Sequence, residues 1–467
     1  MATFSIENFG CRATEADTAA LRHGLLAEGF HLVEDESSAD LVVLNTCTVT
    51  AAADSQTRDA VRKIHRANPA ARIIVTGCYA QRAPDEIVAL EGVTWVIGNS
   101  HQTEIPKIAA GLIVETAQGI FPGAPATQKD FVPTSLLDDG QMSLARGPAK
   151  ILTGDIFAQT SVQVAPVGIG EGDRTRPVLK IQDGCNNRCS YCVIPFVRGR
   201  SRSLPLAAVV EEVQKLVAAG SREIVLSGIN LGAYGRDLTP RASLFDVIDR
   251  ILNETDLEQL RLSSIEPQDV TEELISFIVG SPRLAPHFHV PLQSGSDRIL
   301  RAMHRWYRAG HYAERVERIR QIAPDAAIGA DVIVGFPGET DEDFRVTFEL
   351  VEHLPFTYLH VFAFSARPGT EGAKLGETVP ATIIRERARS LRALGRKKSG
   401  GFRATQAGRV LRALTLVGGD HTWTPALTAN YLKVRILGRV PANEWQEASV
   451  PLDETSTDDY AVANFQR

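Results

Sequence analysis

Three of the chain's six cysteines fall within eight residues, in the stretch Gln182-Asp-Gly-Cys-Asn-Asn-Arg-Cys-Ser-Tyr-Cys192. Cys185, Cys189 and Cys192 are spaced Cys-x3-Cys-x2-Cys, so one short loop brings three thiolates to one metal centre. The number matters. A structural zinc site is closed by four protein ligands, and a ferredoxin-type cluster is also held by four cysteines. With no fourth thiolate in the loop, a four-iron cubane held here keeps one iron open for another ligand. Plainer readings are three cysteines that only pack, since free cysteine is often buried, or a zinc ribbon lacking one ligand. Chelate spacing with Gly, Asn and Arg between the cysteines argues against both.

The other three cysteines, Cys11, Cys47 and Cys78, are far apart in sequence but share a position. Each falls one or two residues past an apolar, β-rich run, at 3–9, 41–45 and 72–76, and helical patterns at 15–28, 51–67 and 84–90 alternate with those runs. Strands alternating with helices form a parallel sheet. Ligands of such a sheet bind beyond the carboxyl ends of its strands, so three distant thiols are expected to converge there. Singly, each would be a buried core residue; together, they complete two groups of three with no cysteine left over. Gly10 and Gly77 allow the backbone to turn sharply beside two of them.

Around the first loop the chain reads as a βα repeat. Apolar runs at 178–182, 223–227, 260–263, 287–291, 327–334 and 358–362 make six strands, separated by helical patterns such as 206–219, 244–252 and 341–354. Six such units suggest an incomplete barrel whose post-strand loops line one rim, as in full (β/α)8 barrels. Those loops, 227–235, 263–267, 290–297, 334–340 and 362–370, are rich in Gly, Ser, Gln and Glu, which suits a small-molecule pocket with a few directed hydrogen bonds.

The cysteine loop resembles the signature of the radical S-adenosylmethionine (SAM) enzymes. That resemblance implies a 4Fe-4S cluster on Cys185, Cys189 and Cys192, with SAM chelating the open iron and Tyr191 beside its adenine. Asn45-Thr-Cys-Thr-Val-Thr50 and Thr76-Gly-Cys78 are similar to motifs of one branch, the methylthiotransferases, and imply a second 4Fe-4S cluster on Cys11, Cys47 and Cys78. Where that family usually has asparagine three residues after the first cysteine, this chain has Thr14. Ser227 and Gly228 occupy the position that contacts the SAM amino group; Ser264, Glu266, Gln293 and Ser296 lie in the motifs that contact its ribose and carboxylate. The implied reaction replaces C–H by C–S–CH3 and uses two molecules of SAM. One yields a 5'-deoxyadenosyl radical, and the other methylates a sulfur supplied through the second cluster. Cofactors carry such chemistry, and no side chain is assigned as a catalytic acid or base. A low-potential electron donor such as flavodoxin or ferredoxin is implied as partner.

Ser-Gly-Ile-Asn-Leu-Gly at 227–232 with His360-Val-Phe-Ala-Phe-Ser365 looks most like the branch acting on C2 of N6-threonylcarbamoyladenosine beside the tRNA anticodon, although Ala363 stands where that branch usually has proline. The branches acting on N6-isopentenyladenosine and on a ribosomal-protein aspartate are close alternatives. An iron-sulfur sensor or RNA-binding module without catalysis is the alternative of another class.

The whole chain of 467 residues has 44% hydrophobic and 23% charged residues and a formal net charge of -6. Bulk attraction to nucleic acid is therefore excluded, and RNA contact must come from local patches. Two such patches mix cations with aromatics: Arg198, Arg200 and Arg202, and His304, Arg305 and Arg308 around Trp306 and Tyr307. A third runs from Arg385 to Arg412, with ten Lys or Arg against the single acid Glu386. Thr428-Ala-Asn-Tyr-Leu432, among short β-rich runs, resembles a motif of the TRAM domain, a small tRNA-binding β-barrel. No basic start precedes an apolar run at the N-terminus, and no membrane-length apolar run occurs. A cytoplasmic monomer acting on tRNA, with no membrane partner, is expected. The fold expected is α/β: an N-terminal parallel α/β sheet domain (1–112), a Gly/Pro-rich linker without regular structure (113–176), a central partial (β/α)6 barrel (177–400) and a small C-terminal β-barrel (401–467).

Overall fold

The computed structural model describes residues 2–117, 140–144, 149–162, 175–450 and 461–465. They form two compact units. The first takes the described residues up to 162 together with 183–187 and 192–202, and the second takes the rest.

The first unit is built on β1 (Thr3–Phe9), α1 (Arg12–Ala27), β2 (His31–Leu32), β3 (Leu41–Thr46), α2 (Ala51–Ala67), β4 (Arg72–Gly77), α3 (Cys78–Arg82), α4 (Pro84–Val88), β5 (Val93–Gly98), α5 (Ile105–Ala117), β6 (Gly140–Leu144) and β7 (Lys150–Gly154). Its sheet runs β2-β1-β3-β4-β5-β7-β6, parallel throughout except for the antiparallel β6–β7 pair. A strand covered on both faces reads as a continuous apolar run, and Leu41-Val-Val-Leu44 is buried at every position. Val42, Leu44, Ile73 and Val75 point to one face, against Val61 and Ile64 of α2. Leu41, Val43 and Ile74 point to the other, against Leu21 and Leu25 of α1 and Ile105 of α5. The three strands expected at 3–9, 41–45 and 72–76 are present. Two further strands, β6 and β7, fall in the stretch where no regular structure was expected. Ile151 and Leu152 are buried against β5, and five-residue strands carry too little periodicity to stand out among glycines and prolines. Residues 118–139, 145–148 and 163–174 of that stretch lie outside the described residues.

A short helix α6 (Ile194–Arg198) also belongs to the first unit, and the chain passes to the second near β9 (Arg202–Ser203). The second unit repeats strand and helix: β8 (Val178–Asp183), α7 (Leu206–Ala218), β10 (Glu223–Gly228), α8 (Leu244–Glu254), β11 (Gln259–Leu262), α9 (Glu272–Gly280), β12 (His287–His289), α10 (Asp297–Ala302), α11 (Ala309–Ile322), β13 (Ala327–Val334), α12 (Asp341–His353), β14 (Tyr358–Ala363) and α13 (Ala381–Thr405). Two sheets, β11-β10-β8-β9 and β12-β13-β14, with β8, β10 and β11 parallel in the first and all strands parallel in the second, are joined by single parallel bridges Leu260–Leu284 and Ser264–His289. The six long strands thus stand in chain order, each within two residues of its expected bounds, and no pairing among the described residues joins β14 back to β8.

The chain ends in a closed antiparallel-rich barrel, β15 (Val410–Thr415), β16 (Trp423–Thr428), β17 (Lys433–Leu437), β18 (Trp445–Ser449) and β19 (Ala461–Phe465), in the order β15-β16-β17-β19-β18. Ala413, Ala426, Val434, Ile436 and Ala448 fill it. The Thr428–Leu432 turn is held by the βαβ part of the same unit. Arg261 donates to the carbonyls of Ala429 (3.0 Å) and Thr428 (3.2 Å), and the Tyr431 ring stacks on His287 at 4.2 Å. No described helix is long and apolar enough to cross a membrane.

Candidate cluster and cofactor site

Strand register brings Cys11, Cys47 and Cys78 together. Phe9 is paired with Thr46, and Thr46 with Gly77, so three neighbouring strands end at one level just before the three cysteines. A Cβ placed on Gly10 would lie 3.1 Å from the Cys47 Cβ. Gly77, at φ 98°, leaves no room for a Cβ beside the Thr46 carbonyl. All three thiols are free; Cys11 is exposed, Cys47 and Cys78 are buried. Burial, reinforced by the neighbouring Cys11 and Cys78 sulfurs, pushes the Cys47 thiol up to about 12. Burial also raises Cys78, against the pull of the nearby Arg198 cation.

Arg198 is 1% exposed. It donates to Asp17 Oδ2 at 2.8 Å and to Asp183 Oδ1 at 3.1 Å. Asn99 donates both to Cys78 Sγ (3.5 Å) and to the Val197 carbonyl (2.8 Å), while Cys78 packs on Val193 and Val197. The α6 segment that follows Cys192 is thereby fixed against Cys78. Thr14, the departure from the family pattern, donates to the Cys11 carbonyl at 2.7 Å and helps close the first turn of α1. Three neighbouring thiols with no disulfide among them suit a metal centre, because coordination displaces the protons that burial retains.

The Cys185 to Cys192 loop is shaped by backbone. Gly184, at φ 70°, faces the Arg200 carbonyl where a Cβ would collide. Cys185 N donates to the Gly199 carbonyl at 3.1 Å, and Ser201 N to Asn186 Oδ1 at 3.1 Å. Asn187 N points at Cys185 Sγ from 3.4 Å. Within the second unit, Ser190 donates twice to the end of α10, from N to the Met303 carbonyl and from Oγ to that of Ala302. Arg305, 5% exposed, donates to Cys189 Sγ at 3.4 Å, pairs with Glu266 and reaches Tyr307 OH at 3.2 Å.

The residues expected to contact SAM are distributed as follows. Ser227 is buried at the end of β10, and Gly228 leaves space for Gln182, whose Oε1 would sit 2.9 Å from an added Cβ and accepts from Asn230 N at 2.8 Å. Ser264 Oγ meets His289 Nδ1 at 2.7 Å. Glu266 is tied through Arg305 to Cys189, and burial raises its carboxyl despite that cation. Gln293 holds φ 66° and donates from N to the Asp331 carbonyl at 2.8 Å. Tyr191 packs against Ile299, Met303 and Phe336. Ser296 caps α10 and donates to Asp343 Oδ1 at 2.6 Å, which engages its hydroxyl.

The two short cation-aromatic patches are corrected in part: Arg200, His304 and Trp306 are exposed, but the others are not. Arg198, Arg202 and Arg305 are buried and hydrogen-bonded, and Tyr307 is fully buried. Alternating arginines look the same whether they face solvent or a buried carboxylate, and the partners Asp17 and Glu266 lie far off in sequence. The third patch divides. Arg387 pairs with Glu339 and Asp341, Arg409 with Asp325, Arg412 with Glu258, and Lys398 donates to the Glu352 and Leu354 carbonyls. Arg385, Arg389, Arg396 and Lys397 of α13 remain exposed.

The fold and the three-cysteine loop define a radical SAM protein, and residues 179–351 match the model of the Radical SAM superfamily. Residues 3–98 match Uncharacterized protein family UPF0004. Threonylcarbamoyladenosine tRNA methylthiotransferase MtaB of Aquifex aeolicus is 37% identical over 92% of this chain and 96% of its own length. The Bacillus subtilis protein of the same name is 33% identical over 94% and 91%. The tRNA-2-methylthio-N(6)-dimethylallyladenosine synthase of Syntrophobacter fumaroxidans is 35% identical over 81% and 77%. The chain belongs to the radical SAM methylthiotransferase family, enzymes that transfer a methylthio group. The same fold occurs in the radical SAM methyltransferase TsrM of Kitasatospora setae, with a TM-score of 0.51 at 18% identity over 80% of this chain and 77% of that one.

Proposed function

We propose that this enzyme methylthiolates C2 of N6-threonylcarbamoyladenosine in tRNA. The reading rests on two 4Fe-4S clusters, one held by Cys185, Cys189 and Cys192 and the other by Cys11, Cys47 and Cys78, and on two SAM molecules per turnover. The convergence of Cys11, Cys47 and Cys78 at three aligned strand ends carries it. When bound, the clusters and SAM supply the one-electron chemistry and the sulfur that side chains lack. The chain's own contribution is placement. Arg305 donates to Cys189 and is itself fixed by Glu266, while Arg198 holds α6 beside Cys78 with its charge offset by Asp17 and Asp183. Tyr191, Ser227, Gly228, Ser264, Glu266, Gln293 and Ser296 are the proposed SAM contacts.

Mass spectrometry of tRNA nucleosides from a strain lacking the gene tests the substrate. The methylthio form of N6-threonylcarbamoyladenosine should vanish while its unmethylthiolated parent accumulates. Loss of the methylthio-dimethylallyl nucleoside instead would favour the second group of relatives. Incubation with SAM and reductant that gave no 5'-deoxyadenosine would point to a non-catalytic iron-sulfur protein.

For tRNA docking we favour the exposed cations of α13 and the C-terminal five-stranded barrel, read as a TRAM-like domain. The exposed helical Arg345 is paired with Glu342 and Glu349, whereas Arg385, Arg389 and Arg396, clustered on one helix, have no carboxylate partner among the described residues. Their joint replacement by Gln should flatten the salt dependence of tRNA binding by about three phosphate contacts, measured by filter binding at several salt concentrations.

A further inference from the structure

One polar cluster in the second unit is not used by the cysteine chemistry. His289 on β12 is paired with Gly329 on β13, and Asp331, two residues further along β13, is paired with His360 on β14. Residues two apart on a strand share a face, so all three side chains project from one face of three adjacent strands. The opposite face carries Phe288, Ile328, Ala330 and Val332, all buried under the helical layer. One ligand atom from each of His289, Asp331 and His360 lies within 4.8 Å of the other two.

The hydrogen bonding of His289 is the second observation. Its ring is 7% exposed, and Nδ1 is engaged by Ser264 Oγ at 2.7 Å. Nε2 is buried without a hydrogen bond and faces Asp331 Oδ1 from 3.3 Å. Metal-bound imidazoles are held from behind in this manner, the far nitrogen bonded to a polar group that fixes tautomer and ring orientation. A buried nitrogen without a partner is unfavourable, and a cation between Nε2 and Oδ1 would satisfy both atoms.

We propose that His289, Asp331 and His360 bind a divalent transition-metal ion through two imidazole nitrogens and one carboxylate oxygen. Zinc and ferrous iron suit this donor set, which contains no sulfur. Three ligands from one wall leave coordination positions free on the side away from the strands, for water or an oxygen donor of a small molecule.

The test uses the full chain purified anaerobically with its iron-sulfur clusters, washed with chelator and dialysed against micromolar zinc. Mass spectrometry of the metals should find about one zinc per chain beyond the cluster iron. Affinity should fall roughly 10-fold or more in Asp331→Asn and His360→Gln, with iron content unchanged. Because His360 is exposed, its replacement does not disturb a core. X-ray absorption at the zinc edge should show nitrogen and oxygen neighbours only. Equal zinc in wild type and His360→Gln would overturn the proposal and leave His289 and Asp331 as an ion pair. Sulfur in the zinc shell would also overturn it, by placing the metal on the cysteines.

Discussion

The two cysteine groups reach the same ligand count by opposite routes. Cys185, Cys189 and Cys192 are neighbours in sequence and depend on a loop stitched by its own backbone, with Gly184, Gly199 and Ser190 as anchor points. Cys11, Cys47 and Cys78 are far apart in sequence and depend on the register of β1, β3 and β4. A local loop should tolerate changes elsewhere in the fold, whereas a site built from strand ends inherits every disturbance of its sheet. The environments differ too. Cys47 is buried, with its thiol raised by that burial and further by its neighbours, and Cys189 receives a hydrogen bond from a buried arginine.

The largest expected effect separates the two groups by activity. Cys47→Ala should lower iron from roughly eight to roughly four per chain and abolish methylthiolation, while SAM cleavage to 5'-deoxyadenosine continues. Cys189→Ala should abolish both activities. Iron analysis with chromatography of SAM products checks this, and if Cys47→Ala also stopped SAM cleavage, the division of labour would be wrong.

Next in size is Arg198, which serves the first unit as a buried cation. Arg198→Met takes its cation from the buried Asp17, while Asp183 keeps Arg202 at 3.3 Å, and breaking a buried ion pair costs about 3–5 kcal/mol. Adding Asp17→Asn should recover most of that loss, since the penalty lies in the uncompensated charge, whereas Asp183 is left in place to hold Arg202. Denaturant midpoints of the single and double variants measure it; equal destabilisation of both would assign the loss to packing.

Much of this arrangement was legible in the sequence because spacing and position carry it. The cysteine loop is a local pattern, and the strand-end position of the other three cysteines follows from the alternation of apolar runs. The βα strands were found because each is a continuous apolar stretch. What was missed depends on contacts across long separations. Arg198 and Arg305 look like surface cations until Asp17 and Glu266 are seen beside them, 181 and 39 residues away. β6 and β7 are visible only through the sheet edge they complete. His289, Asp331 and His360 each occur in an apolar strand, and only the register of β12, β13 and β14 shows that they share a face. The signal available was a polar residue within each of three successive strands, at the end of β12 and inside β13 and β14.

A smaller effect sharpens the contrast in register dependence. Gly77→Ala forces a side chain into a left-handed conformation against the Thr46 carbonyl, a strain of about 1–3 kcal/mol. Iron bound by Cys11, Cys47 and Cys78 should fall while iron on the Cys185 loop and SAM cleavage persist. Gly220→Ala is the control. It also has positive φ but open space around it, so it should cost stability without selective loss of iron.

The smallest expected effect concerns Ser296, which the family resemblance assigns to SAM and the structure engages in a helix cap. Its hydroxyl caps α10 and donates to Asp343, whose carboxyl Arg298, Ser296 and Thr340 together hold well below the ordinary range despite burial. Ser296→Ala should cost about 1 kcal/mol, the usual loss for a cap. A carboxyl with a lowered folded pKa stabilises the fold above its unfolded value of about 3.9, and that contribution is lost as pH falls through the folded value. The part of the Ser296→Ala deficit that comes from the Asp343 bond should therefore be full at neutral pH and shrink in strong acid, as followed by urea unfolding across that range. If the cap is the whole role, SAM affinity of the cluster-loaded variant stays unchanged while stability falls. If SAM affinity drops as well, the hydroxyl reaches the cofactor in the bound state, and it can do so only by giving up Asp343.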